Sequence, residues 1–82
     1  MDVKKLITDL INNLIDKKED LEIEIIGNKT DVFINIKVDD SDAGKIIGKK
    51  GRLIQAIRIY VQAVIVKHLH KRVIIELSKK NI

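Results

Sequence analysis

The sequence predicts an α+β domain whose elements run α-β-β-α-α-β, and three observations carry that reading. Apolar residues recur at helical spacing from about Asp2 to Lys17. Two runs of strict alternation follow, parted by the turn-forming stretch "GNKTD". A pair of helical patterns, joined through a corner with glycine at both ends, then leads into a last alternating run.

Val3, Leu6, Ile7, Leu10, Ile11, Leu14 and Ile15, with Lys, Asp and Asn between them, describe an amphipathic first helix ending near Lys17. Four consecutive charges, "KKED", break it. Leu21, Ile23 and Ile25 alternate with Glu22 and Glu24 as a strand, and Val32, Ile34, Ile36 and Val38 alternate with Phe33, Asn35 and Lys37 as a second. With the tight turn at 27–31 the two form an antiparallel hairpin. "DDSD" at 39–42 supplies helix N-caps, and a short helix through Ile46 and Ile47 stops at Gly48. After Gly51 the residues Leu53, Ile54, Ile57, Val61, Val64, Ile65 and His68 share one helical face to about Leu69. "RVIIELS" reads as the third strand, with Val73, Ile75 and Leu77 on one side.

At 82 residues the chain has room for one domain, 1–82, and no linker or repeat divides it. So small a chain needs a dense core or a partner, and 45% of its residues are hydrophobic, nearly all Ile, Leu and Val. No cysteine is present, which excludes a disulfide framework and thiolate metal sites and suits a reducing compartment. The opening "MDVKKLITDL" lacks the apolar core of a signal peptide, and no apolar run is long enough to cross a bilayer. A cytoplasmic protein is expected.

Charge is unevenly divided. Residues 1–43 hold six lysines against eleven acids, whereas residues 44–82 hold ten basic residues against Glu76 alone. The basic half suits a polyanionic partner, and the acidic half would steer that partner to it.

The chemistry concentrates in "GKIIGKKGRLIQAI", residues 44–57, which contains three of the four glycines. Glycine at 48 and 51 permits positive φ and close approach of another backbone. The corner's amides and the N-terminus of the following helix make an electropositive pocket suited to phosphate, to which Lys49, Lys50 and Arg52 add full charges. A nucleotide-binding P-loop is excluded, because Gly44 and Gly48 are one residue too close and Lys50 stands where Ser or Thr is required. No Gly-x-Gly-x-x-Gly is present, so dinucleotide binding has no support either.

Ile47-Gly48-Lys49-Lys50-Gly51-Arg52-Leu53-Ile54-Gln55-Ala56-Ile57 resembles the K-homology (KH) signature, an aliphatic residue followed by Gly-x-x-Gly-x-x-Ile-x-x-Ile, at all five defining positions. The element order resembles the type II, prokaryotic form, since type I begins with a strand. The whole chain looks like the small bacterial proteins that consist of one KH domain. The resemblance implies a three-stranded mixed sheet packed on three helices. It also implies a clamp on about four nucleotides of single-stranded RNA, with the Gly-x-x-Gly loop on the backbone and bases in an aliphatic groove. Carried onto this chain, Gly48 and Gly51 allow close approach and Lys49 and Lys50 neutralise phosphates. Ile46, Ile47, Leu53 and Ile54 are candidates for the groove floor, and Lys45, Arg52 and Arg58 for a wider basic surface. With only Phe33 and Tyr60 as aromatics, the chain lacks the stacking platforms of other RNA-binding modules.

The helix after Gly51 carries more aliphatics than one buried face requires. Ile59, Ala63 and Val66 lie on or beyond its edge and mark a partner surface. The resemblance implies a homodimer, association with a larger KH-containing protein, and post-transcriptional regulation or RNA-chaperone activity linked to the cell envelope or division. His68 and His70 at i, i+2 do not share a helical face and make no metal site; His68 is expected to cap the apolar face and His70 to end the helix. No nucleophile–base pair is evident, so neither catalysis nor a cofactor is expected. The competing readings are a protein–protein adaptor with little RNA affinity and a duplex-DNA helix-turn-helix. The latter would read bases with a mostly apolar helix, which is unfavourable.

Overall fold

Why the helices and strands fall where they do is visible in the computed structural model, which describes residues 2–79. Helix α1, Val3–Asn12, begins at an Asp2 cap whose carboxylate accepts the Lys5 amide at 3.0 Å. It buries Ile7 and Ile11 completely. The helix ends at Asn12 rather than near Lys17: the Leu14 amide turns back to the Ile11 carbonyl, and the Asn13 amide group donates to the Asp9 carbonyl. Ile15 reaches the core from outside the helix, 3% exposed. The helical spacing of the sequence continues because the core side chains do, while the backbone leaves the helix.

Strands β1, Glu22–Gly27, and β2, Asp31–Val38, pair antiparallel, Ile23 opposite Ile36 and Ile26 opposite Phe33. The Asn28 side-chain oxygen closes their turn by accepting the amides of Thr30 (2.9 Å) and Asp31 (2.7 Å). Helices α2, Asp40–Ile47, and α3, Arg52–Leu69, form the crossover that a parallel pairing demands. Strand β3, Arg72–Lys79, then lies parallel to β2, and the sheet order is β1-β2-β3. The architecture is α+β with a three-stranded mixed sheet, in the expected order.

One sheet face, carrying Val32, Ile34, Ile36, Val38, Val73 and Ile75, packs with Ile7, Ile11, Ile46, Ile57, Val61 and Ile65 of the helices into a core made almost wholly of Ile and Val. Among the described residues no helix packs on the other face, where Ile26 and Phe33 are exposed. Helix α3 ends at His70, held left-handed (φ 55°, ψ 38°) with its amide on the Val66 carbonyl. His68 is exposed and does not cap the apolar face.

Candidate nucleic-acid interface

The corner between α2 and α3 is held by a buried acid on one side and by glycine geometry on the other. Asp42, in the first turn of α2, is 0% exposed. Its carboxylate accepts the amides of Asp16 (3.0 Å) and Lys17 (2.9 Å) from the segment after α1. Those two amides, with the Lys45 ammonium at 3.3 Å, hold its carboxyl below the ordinary carboxylate range. Asp39 caps α2 through the Ser41 amide and hydroxyl, which lower its carboxyl likewise. A long-range staple therefore ties α1 to the helix that presents the loop.

At the corner itself, the Gly48 amide closes the last turn of α2 on the Gly44 carbonyl at 3.0 Å. Gly48 adopts φ 75°, ψ −179°, a conformation open to glycine alone. A Cβ there would come within 2.5 Å of the Leu53 Cβ, so the first turn of α3 folds directly over it. Lys49–Gly51 form a single 3₁₀ turn in which Lys50 (φ 57°) and Gly51 (φ 74°) are both left-handed. Nothing lies within 4 Å of a Cβ built on Gly51. Gly48 is thus required by packing, whereas Gly51 leaves open space outside the loop.

The sequence candidates separate into groups. Lys49, Lys50 and Arg52 are exposed and form no ion pair with any described residue. Among the described residues no acceptor meets the Lys49 or Lys50 amide. Ile47 is 38% exposed beside the loop, and Leu53 is half-buried over Gly48. Ile46, by contrast, is 0% exposed and Ile54 only 7%; both serve the core, and Ile46 has no surface to offer a base. Lys45 does not widen the basic surface, because its ammonium is paired with Asp16 and Asp42, which raise its pKa. Arg58 turns toward β3, its guanidinium 3.4 Å from the Ile75 carbonyl and 3.4 Å from the Gln55 side-chain oxygen. What sequence reasoning missed is the Asp42 staple, whose partners lie 25 and 26 residues away.

On α3, Ile59 (64% exposed) and Val66 (44%) flank an exposed Ala63, with Tyr60 beside them. No described residue covers this apolar stripe. No group of His and acidic side chains among the described residues is placed to hold a metal ion, and no helix is long and apolar enough to cross a membrane.

A mixed three-stranded sheet in α-β-β-α-α-β order, with a Gly-x-x-Gly turn between its second and third helices, defines a type II KH domain. The family model "KhpA/KhpB, KH domain" matches residues 4–77, and the chain belongs to that family. It is 35% identical over 75 residues to the RNA-binding protein KhpA of Clostridium perfringens, covering 92% of this chain and 99% of that one. The RNA-binding protein KhpA of Caldanaerobacter subterraneus subsp. tengcongensis is 38% identical over 73 residues, 89% and 96% of the two chains. That of Aquifex aeolicus is 37% identical over 76 residues, 92% and 94%.

Proposed function

We propose that this protein is a non-enzymatic, cytoplasmic RNA-binding protein that grips the backbone of single-stranded RNA with Gly48–Gly51. The observation that supports this best is the corner itself: two lysines with no ion pair and two amides with no acceptor among the described residues, placed where Gly51 keeps the approach open. Lys49 and Lys50 neutralise phosphates, Arg52 adds charge at the start of α3, and Ile47 and Leu53 supply the apolar floor for bases. None of these side chains carries a base-reading pattern, so sequence preference is weak. Two copies associate through Ile59, Ala63 and Val66, and the same face suits a KH domain of KhpB type. Post-transcriptional regulation or RNA-chaperone activity is the role consistent with such a binder.

Fluorescence-anisotropy titration of a mixed-sequence single-stranded RNA across a salt series tests the clamp. Lys49→Asp/Lys50→Asp, still folded by circular dichroism, should lose most affinity and flatten the slope of log K against log salt by roughly 1.4, at about 0.7 per phosphate contact. Lys45→Gln, removing a cation already faced by two carboxylates, should leave the slope unchanged. Equal binding by wild type and the double variant would eliminate the loop as the clamp. The exposed α3 stripe would then favour a protein–protein adaptor.

A further inference from the structure

The face of the sheet that carries no helix has its own chemistry. Across its three strands, Ile26, Phe33 and Ile74 stand side by side in register, Ile26 59% and Phe33 41% exposed. The next row on the same face is Glu24, Asn35 and Glu76. These residues line a shallow depression of about 300 Å³. Asn35 is held in place by the Ser78 hydroxyl at 2.9 Å, while neither Glu24 nor Glu76 pairs with a cation among the described residues. Glu76 is also the single acid of residues 44–82, where ten basic residues stand. In a chain of net charge +4, the exposed apolar row is therefore bordered on one side by two carboxylates without a cation partner among the described residues, with exposed Lys37 one row further along the same face and the Asp31–Arg72 pair on the other side. The carboxylates beside the apolar row favour a cation attached to an apolar body at that place.

We infer that this open sheet face is a docking site for a basic amphipathic helix of a partner protein, an apolar residue resting on Ile26–Phe33–Ile74 and an arginine or lysine set between Glu24 and Glu76. The spacing commits the occupant. Alternate residues along a strand lie about 6.8 Å apart, and positions i and i+4 of a helix are separated by about 6 Å along its axis. A helix laid along β2 with an apolar-x-x-x-Arg pattern meets both rows at once. RNA binding at Gly48–Gly51 lies outside this face, so one molecule can hold RNA and a basic protein together.

The test titrates the ¹⁵N-labelled full chain with a synthetic leucine/arginine amphipathic helix and follows backbone amide shifts. Shifts should concentrate in residues 22–26, 31–37 and 72–78. Glu24→Gln/Glu76→Gln should weaken binding by about tenfold, the worth of two partly exposed charge pairs. Phe33→Ser should weaken it at least as much, while single-stranded RNA binding stays at the wild-type level. Glu24→Lys/Glu76→Lys should instead gain affinity for a leucine/glutamate helix, a reversal that a misfolded variant cannot show. Shifts centred on α3 or on Gly48–Gly51, or wild-type affinity in the variants, would overturn the site. So would shifts of these strands by RNA, or an oligomer of the free chain that Phe33→Ser disperses.

Discussion

The two glycines of the loop do different work, and substitution separates them. Gly48 sits at φ 75°, ψ −179° with the Leu53 Cβ in the way of any side chain. Gly48→Ala should cost about 3 kcal/mol or more, since backbone strain and a side-chain collision add. Gly51 is left-handed with open space around it, so Gly51→Ala should cost only about 1 kcal/mol. Urea denaturation of both variants checks the contrast; equal losses would contradict the assigned roles. In RNA binding the order can reverse, because a methyl group on Gly51 stands in the open approach to the loop. The corner was legible in the sequence because glycine at 48 and 51, between two helical patterns, marks backbone of positive φ. The sorting of its neighbours was not. Ile46 and Ile47 are adjacent and chemically identical, yet one is fully buried and the other 38% exposed. Only the direction in which α2 packs decides that.

At the scale of elements, alternation and helical spacing placed all three strands and both loop helices, since each buries a single continuous face. The exception is the end of α1, and its cause is a contact no local pattern can show. Asp42 captures the Asp16 and Lys17 amides and so pulls the chain out of the helix. That staple makes stability depend on pH in a defined direction. Asp42, Asp39 and Asp31 all have carboxyls lowered from the ordinary 3.8: Asp42 by those amides, Asp39 by Ser41, Asp31 by Arg72 and Thr30. The unfolded chain therefore takes up protons before the folded one does. The stabilisation is fully present above the ordinary carboxylate range and is lost as pH falls through it and below. Urea midpoints should be level near neutrality and fall from about pH 5 downward. Asp42→Asn should be less stable at neutral pH, because one amide oxygen cannot accept what two carboxylate oxygens do, and its acid slope should be shallower. An unchanged slope would show that Asp42 does not carry the acid sensitivity.

Taken whole, the molecule divides its surface by chemistry: exposed cations at the α2–α3 corner, an apolar stripe along α3, and carboxylates beside apolar residues on the open sheet face. The stripe bears on how so small a binder holds RNA. A loop that grips RNA as proposed would contact only about four nucleotides, a weak grip by itself. Ile59, Ala63 and Val66 follow one another at i, i+4 and i+7, and the small Ala63 at the centre lets a second helix approach closely. A two-fold contact there would join two loops in one particle, making the second RNA contact intramolecular. Ile59→Asp/Val66→Asp should then sediment as a monomer at concentrations where wild type is a dimer. For an RNA long enough to reach both loops its affinity should fall by about a hundredfold. For an oligonucleotide that fills one loop, wild type and variant should bind alike, since Gly48–Gly51 is untouched. If the variant remains a dimer, the stripe is not the contact. If it is monomeric yet holds the long RNA as tightly, the two loops act independently, and each domain must reach further along the strand than Gly48–Gly51 alone.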